Sequence, residues 1–209
     1  MLNIVGAAVA TKDGLPPIAA SGYEYVVAAN GVFIRAQSDY LSACVPVCHF
    51  LGSPIERLQP VEPYAKLLWA PPVGVGHLYA VIKNARERMP NEAMYQFIRG
   101  IDELDDTHKW TCKLPRQTAT PTRVDFEDNP DSIIDIHSHN TMHAFFSEQD
   151  NADEMGFRFY CVLGKLNTDH PEILCRVGVY GYFMNVPMTT IFKDSVAMPI
   201  IDLYNQNDK

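Results

Sequence analysis

Residues 135–150, DIHSHNTMHAFFSEQD, gather three histidines, two serines and three acids, a group able to hold a metal ion and do hydrolytic chemistry on it. The run before the histidines, SIIDI, is β-branched and apolar and reads as a strand leaving a buried sheet. Side chains alternate along a strand, so Ile134, Ile136 and Ser138 share one face, and Ile133, Asp135, His137 and His139 share the other. Two imidazoles at i and i+2 can converge on one ion. Beyond them SEQDNADEMG reads as a short acidic helix closed by Gly156, whose first turn aims Asp150 back at the histidines. A catalytic Zn²⁺ site keeps three protein ligands and one open position, a count that His137, His139 and Asp150 supply.

Simpler readings exist for each residue. Ser147 with Asp150 three positions later is also a capping box, which needs no metal. A histidine taken singly is most often structural. The set weakens that explanation, because two same-face histidines, a serine and an aspartate must then coincide. Asp135 either orients an imidazole or lies exposed at a strand end. His143 reads as a solvated loop residue, and Asp153 and Glu154 as a solvated helix face.

The spacing H-x-H, seven residues, S, two residues, D, met by His137, His139, Ser147 and Asp150, resembles the JAMM motif of the MPN metalloproteases. That family also carries an upstream glutamate in a P-x-E context, which PNEAMYQFIRG matches with Glu92. Asn140 and Phe146 stand where many members have proline, and HAFFSEQDNADE looks most like the PRTRC system protein A branch. The resemblance covers residues 72–186. It implies one Zn²⁺ per chain on His137, His139 and Asp150, with Glu92 as proton acceptor and donor and Ser147 as oxyanion donor. It further implies hydrolysis of a peptide or isopeptide bond in a ubiquitin-like protein or its conjugate, with a ThiF-like partner from the same cassette. A non-catalytic MPN scaffold that binds such partners is the other reading.

The elements that must position these groups follow from punctuation and periodicity. YEYVVAANGVFIRA is a hairpin signal at Asn30 and Gly31, and LNIVGAAVA reads as a strand, not a cleaved signal. Prolines 60, 63, 71 and 72 break regular structure around AKLLW, which allows one helical turn, and they place a boundary near residue 70. Residues 1–70 are thus expected as a β-rich extension and 71–209 as the catalytic domain. HLYAVIKNARERM sets Leu78, Val81, Ile82, Ala85 and Met89 on one helical face. AMYQFIRG, THKWTCKL, FRFYCVLGKL and EILCRVGVYGYFMNV read as strands, and VDFEDNPDS as a loop. The fold class is α/β (α+β): a mixed MPN-like sheet flanked by few helices.

With 47% hydrophobic residues the chain can bury a sizeable core, and a net charge of −8 argues against a nucleic-acid partner. No run approaches the length of a membrane span. Five scattered cysteines suit free thiols in a cytoplasmic protein, and CVPVCH reads as buried structural cysteines in an apolar strand, not a second metal site.

Overall fold

The structure is a computed structural model and describes residues 5–18, 22–51, 55–68, 72–102, 107–193 and 201–206. Residues 1–4 of the expected first strand, and Trp69 and Pro71 of the proline-rich break, lie outside these. Strands β1 (Gly6–Val9), β2 (Tyr23–Ala28), β3 (Gly31–Gln37), β4 (Leu41–His49) and β5 (Tyr64–Leu67) form one sheet in that order. The hairpin between β2 and β3 turns at Ala29 and Asn30, one residue earlier than its sequence signal. Gly31 serves a close approach there: a Cβ would stand 2.3 Å from the Cys48 carbonyl oxygen. AKLLW contributes strand β5 at the sheet edge, not a helical turn. CVPVCH lies in β4, where the pairing with β3 shifts register just past Pro46; Cys44 is buried, but Cys48 and His49 are exposed.

The rest of the chain builds β6 (Val73–Gly74), helix α1 (Val75–Arg88), β7 (Met94–Asp102), β8 (Thr107–Lys113), β9 (Gln117–Thr120), β10 (Arg123–Phe126) and β11 (Ile134–Ser138). Helix α2 (Glu148–Asp153), β12 (Phe157–Gly164), β13 (Glu172–Val179), β14 (Tyr182–Val186), β15 (Phe192–Lys193) and β16 (Ile201–Asp202) complete it. A seven-stranded sheet runs β14-β13-β12-β11-β7-β8, with β16 added parallel to β13. Within that order β11 and β12 are parallel and the other neighbours antiparallel. A parallel pair cannot be closed by a tight turn, so the chain from 139 to 156 must cross over, and that crossover carries α2. The expected loop at VDFEDNPDS is in part β10, which pairs with β9 in a separate hairpin.

Leu78, Val81, Ile82 and Ala85 of α1 are buried as the helical periodicity requires. They join Phe97, Ile134, Ile136 and Phe159 of the large sheet in one apolar cluster. Ile34, Ala36, Leu41, Ala43 and Val45 of the first sheet belong to the same cluster. No strand of β1–β5 pairs with the large sheet among the described residues, so the change near residue 70 is a change of sheet and not of core. Tyr23 and Tyr180 rings, 4.7 Å between centroids, extend the contact between the sheets. The other face of the first sheet has its own small cluster around Val26, Phe33, Cys44 and Val61. The protein is therefore a mixed α+β fold, mostly strand. Among the described residues no helix is long and apolar enough to cross a membrane.

Candidate metal centre

The alternation along β11 sends Ile134 and Ile136 into the core and turns Asp135, His137 and, one residue past the strand, His139 towards a cavity of about 590 Å³. The Nε2 atoms of His137 and His139 stand 3.2 Å apart, and Asp150 Oδ1 is 3.3 Å from His137 Nε2. Ligand atoms of all three lie within 4.8 Å of one another. Two donors at ~2.1 Å from a tetrahedral ion stand about 3.4 Å apart, so the two distances from His137 suit Zn²⁺, while His139 Nε2 stands farther from Asp150, 3.9 Å from its Oδ2. Burial pushes the His137 imidazole down to about 4 against the opposing pull of Asp150, and burial likewise lowers His139. Both rings are thus neutral near pH 7, the form in which a lone pair is free for a metal.

Asp150 reaches the histidines because Ser147 starts α2. Ser147 Oγ accepts from the Asp150 backbone N–H at 3.1 Å, and Asp150 Oδ2 accepts from the Ser147 N–H at 2.6 Å and hydroxyl at 2.7 Å. The capping box and the ligand set are one arrangement: the cap occupies Oδ2 and leaves Oδ1 facing His137. The helix is shorter than its sequence signal, ending at Asp153 with Glu154 as its C-cap, before Gly156.

Glu92 enters the same cavity from the segment that leads α1 into β7. It is 5% exposed, and burial, with Asp150 nearby, raises its carboxyl to about 7. Its backbone is anchored between the Glu92 N–H to Thr120 carbonyl bond, 2.9 Å, and the Ala93 N–H to Ser138 Oγ bond, 3.0 Å. Asn140 adds a cross-tie, donating from Nδ2 to the Pro90 carbonyl at 2.6 Å. Its φ of 49° lies in the left-handed region, which asparagine tolerates and proline cannot enter, so the departure from proline has a local cause.

Asp135 is neither exposed nor engaged with an imidazole. Arg158 Nη1 donates to its Oδ2 at 2.9 Å and Ser132 Oγ to its Oδ1 at 2.6 Å, in a site where burial raises the carboxyl. His143 turns away from the cavity, its Nδ1 3.0 Å from Glu172 and its side chain 70% exposed. Glu154, expected on a solvated face, is buried, with Oε1 3.9 Å from His137 Nδ1. Its Oε2 accepts from Arg176 Nε at 2.9 Å and Nη2 at 2.5 Å. Burial raises this carboxyl while Arg176 opposes the rise, and two guanidinium donors on one oxygen fit the ionised form. Phe146, at the other proline-type position, lies over the Arg176 guanidinium at 3.7 Å, with Phe183 at 3.7 Å as well. Neither Glu154 nor Arg176 carries a signal in sequence spacing.

Residues 75–175 match the family described as prokaryotic homologs of the JAB domain. The match opens at α1, ends in β13 and contains Glu92, His137, His139, Ser147 and Asp150. This segment is thus similar to the JAB-domain family, which includes peptidases. A search of curated proteins gave no match.

Proposed function

We propose that the protein is a zinc-dependent metallopeptidase that hydrolyses a peptide or isopeptide bond, with a ubiquitin-like protein or its conjugate as substrate. The convergence of His137 Nε2, His139 Nε2 and Asp150 carboxylate oxygens in the wall of a cavity that also holds Glu92 carries this reading. Bound there, Zn²⁺ supplies an activated water and polarises the scissile carbonyl. Glu92, buried in the same cavity wall, accepts a proton from the attacking water and returns it to the leaving nitrogen. Ser147 Oγ, which donates to Asp150 in the resting arrangement, turns to donate to the oxyanion. A ThiF-like cassette protein is the partner this reading adds.

Zinc content of protein purified without added metal, measured beside cleavage of a ubiquitin-like fusion, tests the proposal. One Zn²⁺ per chain is expected, lost in His139→Ala and kept in Glu92→Gln while cleavage falls by ~10² or more. Wild-type protein that takes up no zinc would return the chain to a scaffold role.

A further inference from the structure

A histidine can ligate through Nε2 only while its proton sits on Nδ1, and ligand histidines commonly hold that tautomer by donating Nδ1–H to a carboxylate or carbonyl. His137 turns Nε2 to His139 and Asp150 and its Nδ1 towards Glu154. Asp135, two positions before His137 on the same strand face, is committed to Arg158 and Ser132. We infer that Glu154 is a positioning residue for His137, held in place by Arg176 and accepting the Nδ1–H through Oε1. This inference rests on the metal reading above.

The carboxylate is fixed on every side but one. Both Arg176 donations fall on Oε2 and leave Oε1 towards the imidazole. Arg176 is clamped between Phe146 and Phe183 and donates from Nη1 to Asn151 Oδ1 at 2.5 Å. The Glu154 backbone N–H caps α2 on the Asp150 carbonyl at 2.9 Å, so the residue that orients one ligand is tied to the main chain of another. The 3.9 Å separation of Oε1 from Nδ1 exceeds a hydrogen bond, and about 1 Å of imidazole travel closes it.

The test compares two double variants, because removing Glu154 alone strands a buried guanidinium. Glu154→Ala with Arg176→Met deletes the acceptor and its clamp together; Glu154→Gln with Arg176→Met keeps an amide oxygen for Nδ1–H. Each double variant removes one acid and one base and so keeps the net charge; Asp153→Asn, on the same helix, shows what the loss of one negative charge does by itself. Zinc affinity by chelator competition is expected to fall ~10- to 100-fold in the alanine variant and only a few-fold in the glutamine variant and the control. In metal-free protein, ¹⁵N NMR should find His137 as the Nδ1–H tautomer in wild type and in the glutamine variant, and mixed in the alanine variant. Equal zinc affinity in wild type and the alanine variant overturns the inference, as does an Nε2–H tautomer in metal-free wild type. The wild-type spectrum decides the matter even if the alanine variant does not fold. Should wild type bind no zinc, the peptidase reading fails while the tautomer comparison still judges Glu154.

Discussion

At the scale of single residues, desolvation decides the chemistry. Glu92 is a carboxyl sunk into a cavity wall, and its elevation to about 7 makes it a poor anion in the metal-free protein. The folded state then binds this proton more tightly than the unfolded chain does. Stability from the group is complete below its ordinary value of 4.5 and is lost as pH rises to about 7 and beyond. Glu92→Gln should therefore leave stability at pH 4 unchanged and raise that of the metal-free protein at pH 8 by about 1–2 kcal/mol, less than the full shift because the cavity opens to water. Urea midpoints of both proteins at the two pH values read this, and an equal change at both would contradict it. Ser147 has two duties, as cap and as the group that holds Asp150 Oδ2. Ser147→Ala is expected to lower stability by about 1 kcal/mol, weaken zinc several-fold and reduce kcat by ~10² to 10³. A variant with full stability and full zinc affinity would separate the cap from the ligand set.

At the scale of elements, the crossover between β11 and β12 is the structure that makes a site out of a sheet. Its first half must run tightly over the end of β12, and Gly164 permits this: a Cβ there would stand 2.2 Å from the Ala144 nitrogen and 2.7 Å from the Met142 carbonyl oxygen. These are backbone atoms and cannot swing aside. Lys165 N–H to Met142 carbonyl, 2.6 Å, and Leu166 N–H to Asn140 carbonyl, 2.7 Å, lock the same crossing. Gly164→Ala should cost about 1–3 kcal/mol and displace the segment between His139 and Asp150, so zinc affinity drops together with Tm. Thermal melts with and without zinc measure both effects. A zinc-dependent rise in Tm equal to that of wild type would show that the crossing does not set the ligand geometry.

At the scale of the whole molecule, the first sheet and the large sheet are separate in hydrogen bonding and continuous in packing. Ile34, Leu41 and Val45 lie in the same buried cluster as Phe97, Ile134 and Phe159. Removing residues 1–68 would bare the face that those side chains cover, although every predicted site residue lies outside the deleted segment. The shortened chain is expected to bind a hydrophobic dye and to associate, with zinc stoichiometry lost as packing loosens. Sedimentation and dye fluorescence test this; a monomeric, dye-silent fragment with full zinc content would make the first sheet an independent unit.

The convergence of His137, His139 and Asp150 was legible because it depends on local geometry alone: alternation on one strand brings the histidines together, and the helix start at Ser147 returns Asp150. The amphipathic face of α1 and the strands of the large sheet were legible for the same reason. Glu92 was accessible only through resemblance, since 45 residues separate it from His137 and nothing in the chain between them says that β7 lies beside β11. Which acid stands near an imidazole was not legible at all. Asp135 has the right parity but meets Arg158 from β12, while Glu154 has no signal and is buried with Arg176 of β13, whose guanidinium lies against the rings of Phe146 and Phe183. A carboxylate's partner and its desolvation are set by elements far away in sequence, and only the packed sheet brings them together.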